Sequence, residues 1–568
     1  MRARVLLGLL PALVGLGCEG AILGESKDSP VPGIPGPTTP GPNLDSGPSD
    51  DELRAKDPEL FEIALGYFPG QAATAGDKRL FRLTRQQLDA TTQAVLPAHS
   101  AASALATLPR DPLQTNYEYA ANLGFSAANF TPLTTWVDQI AASVKQAPES
   151  VVDCAAQGSS PACLEQAAKG FVTRAFRDVV NDQQLERFAK FYSASVAEVG
   201  LADATADLVN VTLTSPGYVF RDEVTTDANA RLQPAQLLQH LSYTLADAPP
   251  EAVGLTRPAR NAASLRDSEL SQAIEQVLQT PAARAKLLRF FTSWLEVKEP
   301  QDFDISTEVF PELTAEVTAA MVADTRAFLE RQLQGALPTL RDVTEATSAI
   351  VSQPSAFLYG LAQQNGDVQL DASQRLGIFT QPAVIASHSG PITTRLVKRG
   401  VFFTRKVMCL PLGVPPEDVD TSVPEGAGGT ERERIENVTT PARCAGCHAF
   451  INPFGFMQEN YDAIGRFRTE DEGRPIDASI SVDFLDEGPL TATSSVEALR
   501  AFTRSLRFQQ CFTRQLFRFY MGRDEQAGDD PLLRQLFFEF AQNESQSIVG
   551  MLRSLAGAAS FSARVETP

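Results

Sequence analysis

The stretch Thr439-Thr-Pro-Ala-Arg-Cys-Ala-Gly-Cys-His-Ala-Phe-Ile-Asn-Pro453 decides how the chain is read. Thr440 followed by Pro441 predicts a helix start, with Thr440 as N-cap and proline at the first helical position. On that helix Cys444 and Cys447 are three apart and Cys444 and His448 four apart, so all three share one face. Two thiols on that face can add to the vinyl groups of a porphyrin while the imidazole reaches its iron. Cys444-x-x-Cys447-His448 is therefore the pattern of covalent haem c attachment, one haem with His448 as proximal ligand. Half of a zinc site or a redox dithiol uses the same two cysteines. Zinc needs two further ligands, and neither a second Cys-x-x-Cys nor a His pair follows; a redox dithiol does not need the adjacent His. Asn452-Pro453 predicts the end of the helix, and Asn452-Pro-Phe-Gly-Phe456 reads as apolar wall for the haem edge.

The remaining ligand of the iron decides the chemistry. Met521, at the end of a predicted amphipathic helix, and His388, in Ala386-Ser-His-Ser-Gly390, are the two candidates. The alternative for Met521 is a core methionine, and for His388 a structural or solvated loop histidine. Met457 follows His448 too closely to cross the ring, His240 adjoins Leu241 on a helix, and His99 precedes a Ser-Ala-Ala run. Arg466 is either a partner for a haem propionate through a bidentate charge-assisted pair or half of a surface pair with Asp462.

Working outward, Met1 to Cys18 has Arg2 and Arg4 ahead of an apolar run too short to span a bilayer, as in a secretory signal peptide. It ends Gly15-Leu-Gly-Cys18, which resembles a bacterial lipobox with Gly15 in place of leucine; Cys18 would then carry the lipid. Ordinary cleavage nearby is the other reading. Residues 19–51 are rich in Pro, Gly, Ser and Asp, the composition of a flexible tether. The formal charge of −20 argues against nucleic acid and against direct adsorption to anionic lipid. Such a protein is expected in the periplasm or cell envelope, touching a membrane only through its N-terminal anchor.

Of seven cysteines, Cys18, Cys444 and Cys447 are spoken for. Cys154 and Cys163 flank a short turn and close a small loop. Cys409 and Cys511 flank the haem segment; in an oxidising compartment they pair, and otherwise they are buried thiols. Apolar periodicity predicts helices over Arg231–Leu245, Ser268–Leu278, Arg284–Leu295, Thr314–Leu333, Val496–Leu506, Cys511–Tyr520 and Leu532–Gln542. Strand-like alternation is confined to Ile480–Phe484. The fold class is thus mainly α: a helical N-terminal body followed by a cytochrome c-like haem-binding C-terminal region. Expected divisions are 52–198 and 199–370 for the body, 371–485 for the haem domain and 486–568 for a helical module packed on it.

Arg79-Leu-Phe-Arg-Leu-Thr-Arg-Gln-Gln-Leu88, Phe171–Arg177, Leu213–Glu223, Leu241–Leu245, Trp294-Leu295, Arg375–Gln381, Lys398-Arg-Gly400, Cys409 with Pro411 to Pro416, Cys444 through Arg468, Cys511 with Phe517–Arg523, and Phe561–Arg564 carry a resemblance. In order, they resemble the modules of bacterial multi-domain proteins, frequent in planctomycetes and myxobacteria. These are built from consecutive domains of unknown function numbered fifteen-eighty-seven, fifteen-ninety-five, fifteen-ninety-two, fifteen-eighty-eight and fifteen-eighty-five. The resemblance implies a c-type haem in the C-terminal portion and a helical body before it. Family members often carry another His shortly before the Cys-x-x-Cys-His; here Glu436-Asn-Val-Thr-Thr440 has none.

No nucleophile elbow, His-Glu-x-x-His, phosphate loop or dinucleotide fingerprint is present. The expected function is an electron-transfer or redox module that docks a redox partner protein. The alternatives are a peroxidase- or dehydrogenase-like haem enzyme with an open iron position, and a surface-binding protein whose haem is structural.

Overall fold

Local signals set most of the helix ends. Thr280 caps Pro281–Trp294 by accepting the Ala283 N–H, Thr314 caps Ala315–Gln332, and Ser505 caps Leu506–Met521 through the Phe508 N–H. Two expected starts move because of these caps. Pro281 occupies the first turn of its helix, three residues ahead of Arg284, and the helix expected from Cys511 begins at Leu506. Pro234 likewise starts Pro234–Ala246 three residues after Arg231. The computed structural model describes residues 47–565 apart from 101–102, 115–116, 119–120, 122, 155–159, 228–229, 259–263, 336 and 414–428. The signal segment, Cys18, most of the tether and the Pro-rich residues 414–416 lie outside the described residues.

The chain is mainly helical, with little sheet. Its strands are short pairs, two of which tie distant segments together. Gly76–Asp77 runs parallel to Arg564–Val565, and Leu80–Arg82 runs antiparallel to Phe220–Asp222. The alternation at Ile480 does form a strand, Ile480–Val482, paired with Leu490–Ala492. No described helix is long and apolar enough to cross a membrane.

Two large cores organise the helices. One bundles Arg85–Val95, Ala127–Gln146, Pro161–Ala175, Asp182–Val199 and Leu201–Leu213 around Leu88, Trp136, Ile140, Phe171 and Leu208. The other joins Pro234–Ala246, Asp267–Leu278 and Pro281–Trp294 to Leu506–Met521, Asp530–Gln542 and Ile548–Gly557. At its centre Phe290, Phe291 and Trp294 meet Phe512, with ring centroids 5.5 to 6.2 Å apart. The first two described helices, Asp50–Lys56 and Pro58–Tyr67, also belong to this core: Tyr67 packs edge-on against Phe537 at 5.4 Å, and Arg534 pairs with Asp50 at 2.8 Å. Buried apolar area is shared across long sequence separations. One core takes side chains from both sides of residue 198 and the other from both sides of residue 370, and helix Asp50–Lys56 begins within the expected tether.

Disulfides join Cys154 to Cys163 and Cys409 to Cys511. The second closes a span of 102 residues that contains the Cys444–His448 segment. It anchors the end of a helical run, Leu396–Phe402 followed by a π-helical turn Phe403–Val407, to helix Leu506–Met521. Leu396–Phe402 in turn lies against Ala442–Phe456 at backbone distance. A Cβ on Gly400 would meet the Ile451 carbonyl oxygen at 2.3 Å, and one on Gly455 would meet that of Leu396 at 2.4 Å. These two glycines are what allow the cysteine-bearing helix to seat.

Candidate functional site

Cys444, Cys447 and His448 all lie on helix Ala442–Phe456, so the expected shared face exists. Its start is displaced by one residue from the expected one. Pro441 is the N-cap, and Thr440 instead closes the preceding helix Glu431–Thr439, its N–H and hydroxyl both bonded to the Glu436 carbonyl. Hydroxyls that bond back to i−4 carbonyls continue a helix rather than cap the next one. Pro453 does not stop the helix either. Phe454 and Phe456 are buried, and Phe454 packs on Phe502 at 4.7 Å; this burial carries the helix past the missing N–H.

Both site thiols are unpaired, with Cys444 half-buried and Cys447 exposed. His448 is held by a chain of hydrogen bonds whose directions can be deduced. The Thr439 hydroxyl donates to the Ile435 carbonyl at 2.8 Å, so it accepts from the Asn452 amide nitrogen at 2.9 Å. That turns the Asn452 amide oxygen toward His448 Nδ1, 2.8 Å away. A carbonyl oxygen only accepts, so Nδ1 carries the proton and Nε2 keeps its lone pair. Metal-binding histidines need this arrangement. Asn452, expected as part of an apolar wall, is a polar positioning residue; its i+4 spacing from His448 was the available signal.

The other sequence candidates go elsewhere. His388 is buried: Nε2–H donates to the Leu295 carbonyl at 2.9 Å, and the ring stacks on Phe402 with centroids 3.7 Å apart. Met521 lines a small cavity with His240, Arg221, Phe561 and Arg564, away from the residues that hold His448. Met457 is fully buried in the aromatic core. Arg466 is spent on carboxylates, its Nε 2.7 Å from Asp462 and a terminal nitrogen on Glu312. His240 Nδ1 sits 2.9 Å from Glu223, and His99 bridges Ser143 and Ser150.

Burial makes His388 a pH sensor of stability. Desolvation, together with Lys398, Arg399 and Lys298, pushes its pKa down to about 3. The unfolded chain takes up a proton below about 6.5 that the folded one refuses. Stability is therefore full above that pH and falls toward 3, by about 1.4 kcal/mol per pH unit. His388→Gln should flatten the decline in urea stability between pH 6.5 and 5 by about that slope; parallel declines would contradict it.

Comparison with known families matches two segments. Residues 232–361 match PSD4, described as a protein of unknown function (DUF1592), and residues 375–471 match PSCyt3, a protein of unknown function (DUF1588). These are two of the modules the sequence resembles. No curated protein and no solved structure matches the chain. The PSCyt3 match contains Cys444, Cys447, His448 and Asn452, so the candidate site lies within a segment similar to that family.

Proposed function

We propose that the protein is an exported, lipid-anchored redox module carrying one haem c, covalently held by Cys444 and Cys447 with His448 on the iron. The observation that carries this reading is the chain from Ile435 through Thr439 and Asn452, which presents His448 Nε2 as a lone pair beside two unpaired thiols. The donor set fits the group: two thiols for its vinyls and one imidazole nitrogen for its iron. Bound there, haem would supply one-electron chemistry, and the chain's acidic surface would meet a basic partner protein.

A second reading is favoured by the engagement of His388 and Met521 elsewhere. The iron would then be left with an exchangeable position, as in a haem enzyme. An absorption spectrum of protein matured in a periplasm with c-type assembly, taken oxidised, reduced and with carbon monoxide, separates the two. A low-spin spectrum unchanged by carbon monoxide supports electron transfer, and a high-spin one that shifts supports the open iron.

Asn452→Leu removes the acceptor that orients His448. Iron ligation should weaken about ten- to a hundredfold, read as a larger high-spin fraction at unchanged covalent haem content. An unaltered spectrum would show that Asn452 does not position the ring.

A further inference from the structure

Three carboxylates converge next to the cysteine helix, and among the described residues only Asp471 has an ion-pair partner. Glu431 opens helix Glu431–Thr439, Glu459 lies in the turns after Ala442–Phe456, and Asp471 ends the short strand Glu470–Asp471. One oxygen from each lies within 4.8 Å of the others. Glu459 is 0% exposed, and neither of its carboxylate oxygens has a hydrogen-bond partner. A buried carboxylate with both oxygens orphaned is costly and calls for a ligand.

The neighbouring guanidinium groups are committed to other atoms. Arg468 pairs with one oxygen of Asp471 and reaches only the main-chain carbonyl of Glu459. Arg432 is bonded to Glu436 and to the Asp477 and Ser479 carbonyls. Arg399 is bonded to the carbonyls of Gln458, Tyr461 and Asp462 and to Ser389. Thr394 donates to one oxygen of Glu431.

We propose that Glu431, Glu459 and Asp471 form a calcium site. The donors are all oxygen, which selects a hard cation. Calcium bonds at about 2.3–2.6 Å admit oxygens up to about 4.6–5.2 Å apart across the ion, whereas magnesium at about 2.0–2.1 Å demands a tighter cage. The ion would clamp the start of the helix that ends in Thr439 to the turn that follows the cysteine helix. It would thus brace both sides of the Thr439–Asn452–His448 chain, and it does not depend on haem being present.

The test uses the full chain, stripped with a chelator, with calcium chloride alone as the probe. Calorimetry should show one site, and calcium should raise the thermal midpoint by several degrees. Glu459→Gln, which keeps the shape and removes the charge, should lower calcium affinity at least tenfold and abolish the shift. Asp471→Asn, at a partly exposed position, should weaken affinity in the same direction and serves if Glu459→Gln does not fold. Absence of calcium binding by the wild type at millimolar concentration, or equal binding by the variants, would overturn the assignment.

Discussion

Replacing both Cys444 and Cys447 with alanine should yield a protein with no covalent haem and an intact helical body. The loss is expected to be complete because each thioether requires its own thiol. The fold should tolerate the change: Cys447 is exposed, Cys444 is half-buried, and neither belongs to a hydrophobic core. Surface substitutions of this kind shift stability by about 0.5 kcal/mol or less. Helical content and urea midpoint, compared between haem-free wild type and the variant, should therefore coincide. Haem retained by the variant through denaturing electrophoresis would remove the basis of the proposed function.

Arg399→Met should have the largest effect on stability. The side chain is fully buried, and its two terminal nitrogens donate to the carbonyls of Gln458, Tyr461 and Asp462 and to the Ser389 hydroxyl. It thereby holds the turns after the cysteine helix onto the helix just before Gly400. Methionine fills much of the volume but leaves those acceptors orphaned, each at about 1–3 kcal/mol. A loss of at least about 3 kcal/mol in urea unfolding is expected. A loss below about 1 kcal/mol would mean that water replaces the guanidinium without cost.

Periodicity made the long helices legible. Leu237, Leu238, Leu241 and Leu245 sit on Pro234–Ala246 and are all buried, because a 3.6-residue repeat leaves little else possible. The cysteine pairs were legible by count, once Cys18 and the two site thiols were set aside. Helix ends were legible only where a single cap competed: Thr314 caps as its type suggests, whereas Thr440 lost to its own bond with the Glu436 carbonyl. What local pattern does not encode is which distant segments share a core. Nothing near Asp50–Tyr67 points to Arg534 or Phe537, yet the contact with them fixes where that hairpin lies. The same holds for individual side chains at the candidate site. The shared helix face of Cys444, Cys447 and His448 was legible from spacing. The fate of His388 was decided by the Leu295 carbonyl and Phe402, and that of Arg466 by Glu312, each from another part of the chain.

The most direct measurement is the intact mass, under denaturing conditions, of protein matured in a periplasm with c-type assembly, with its alkaline pyridine spectrum. The account predicts one haem per chain that survives denaturation, with Cys444 and Cys447 closed to alkylation. A haem-free mass with both thiols alkylated, from a host whose assembly machinery loads a control cytochrome, would contradict it.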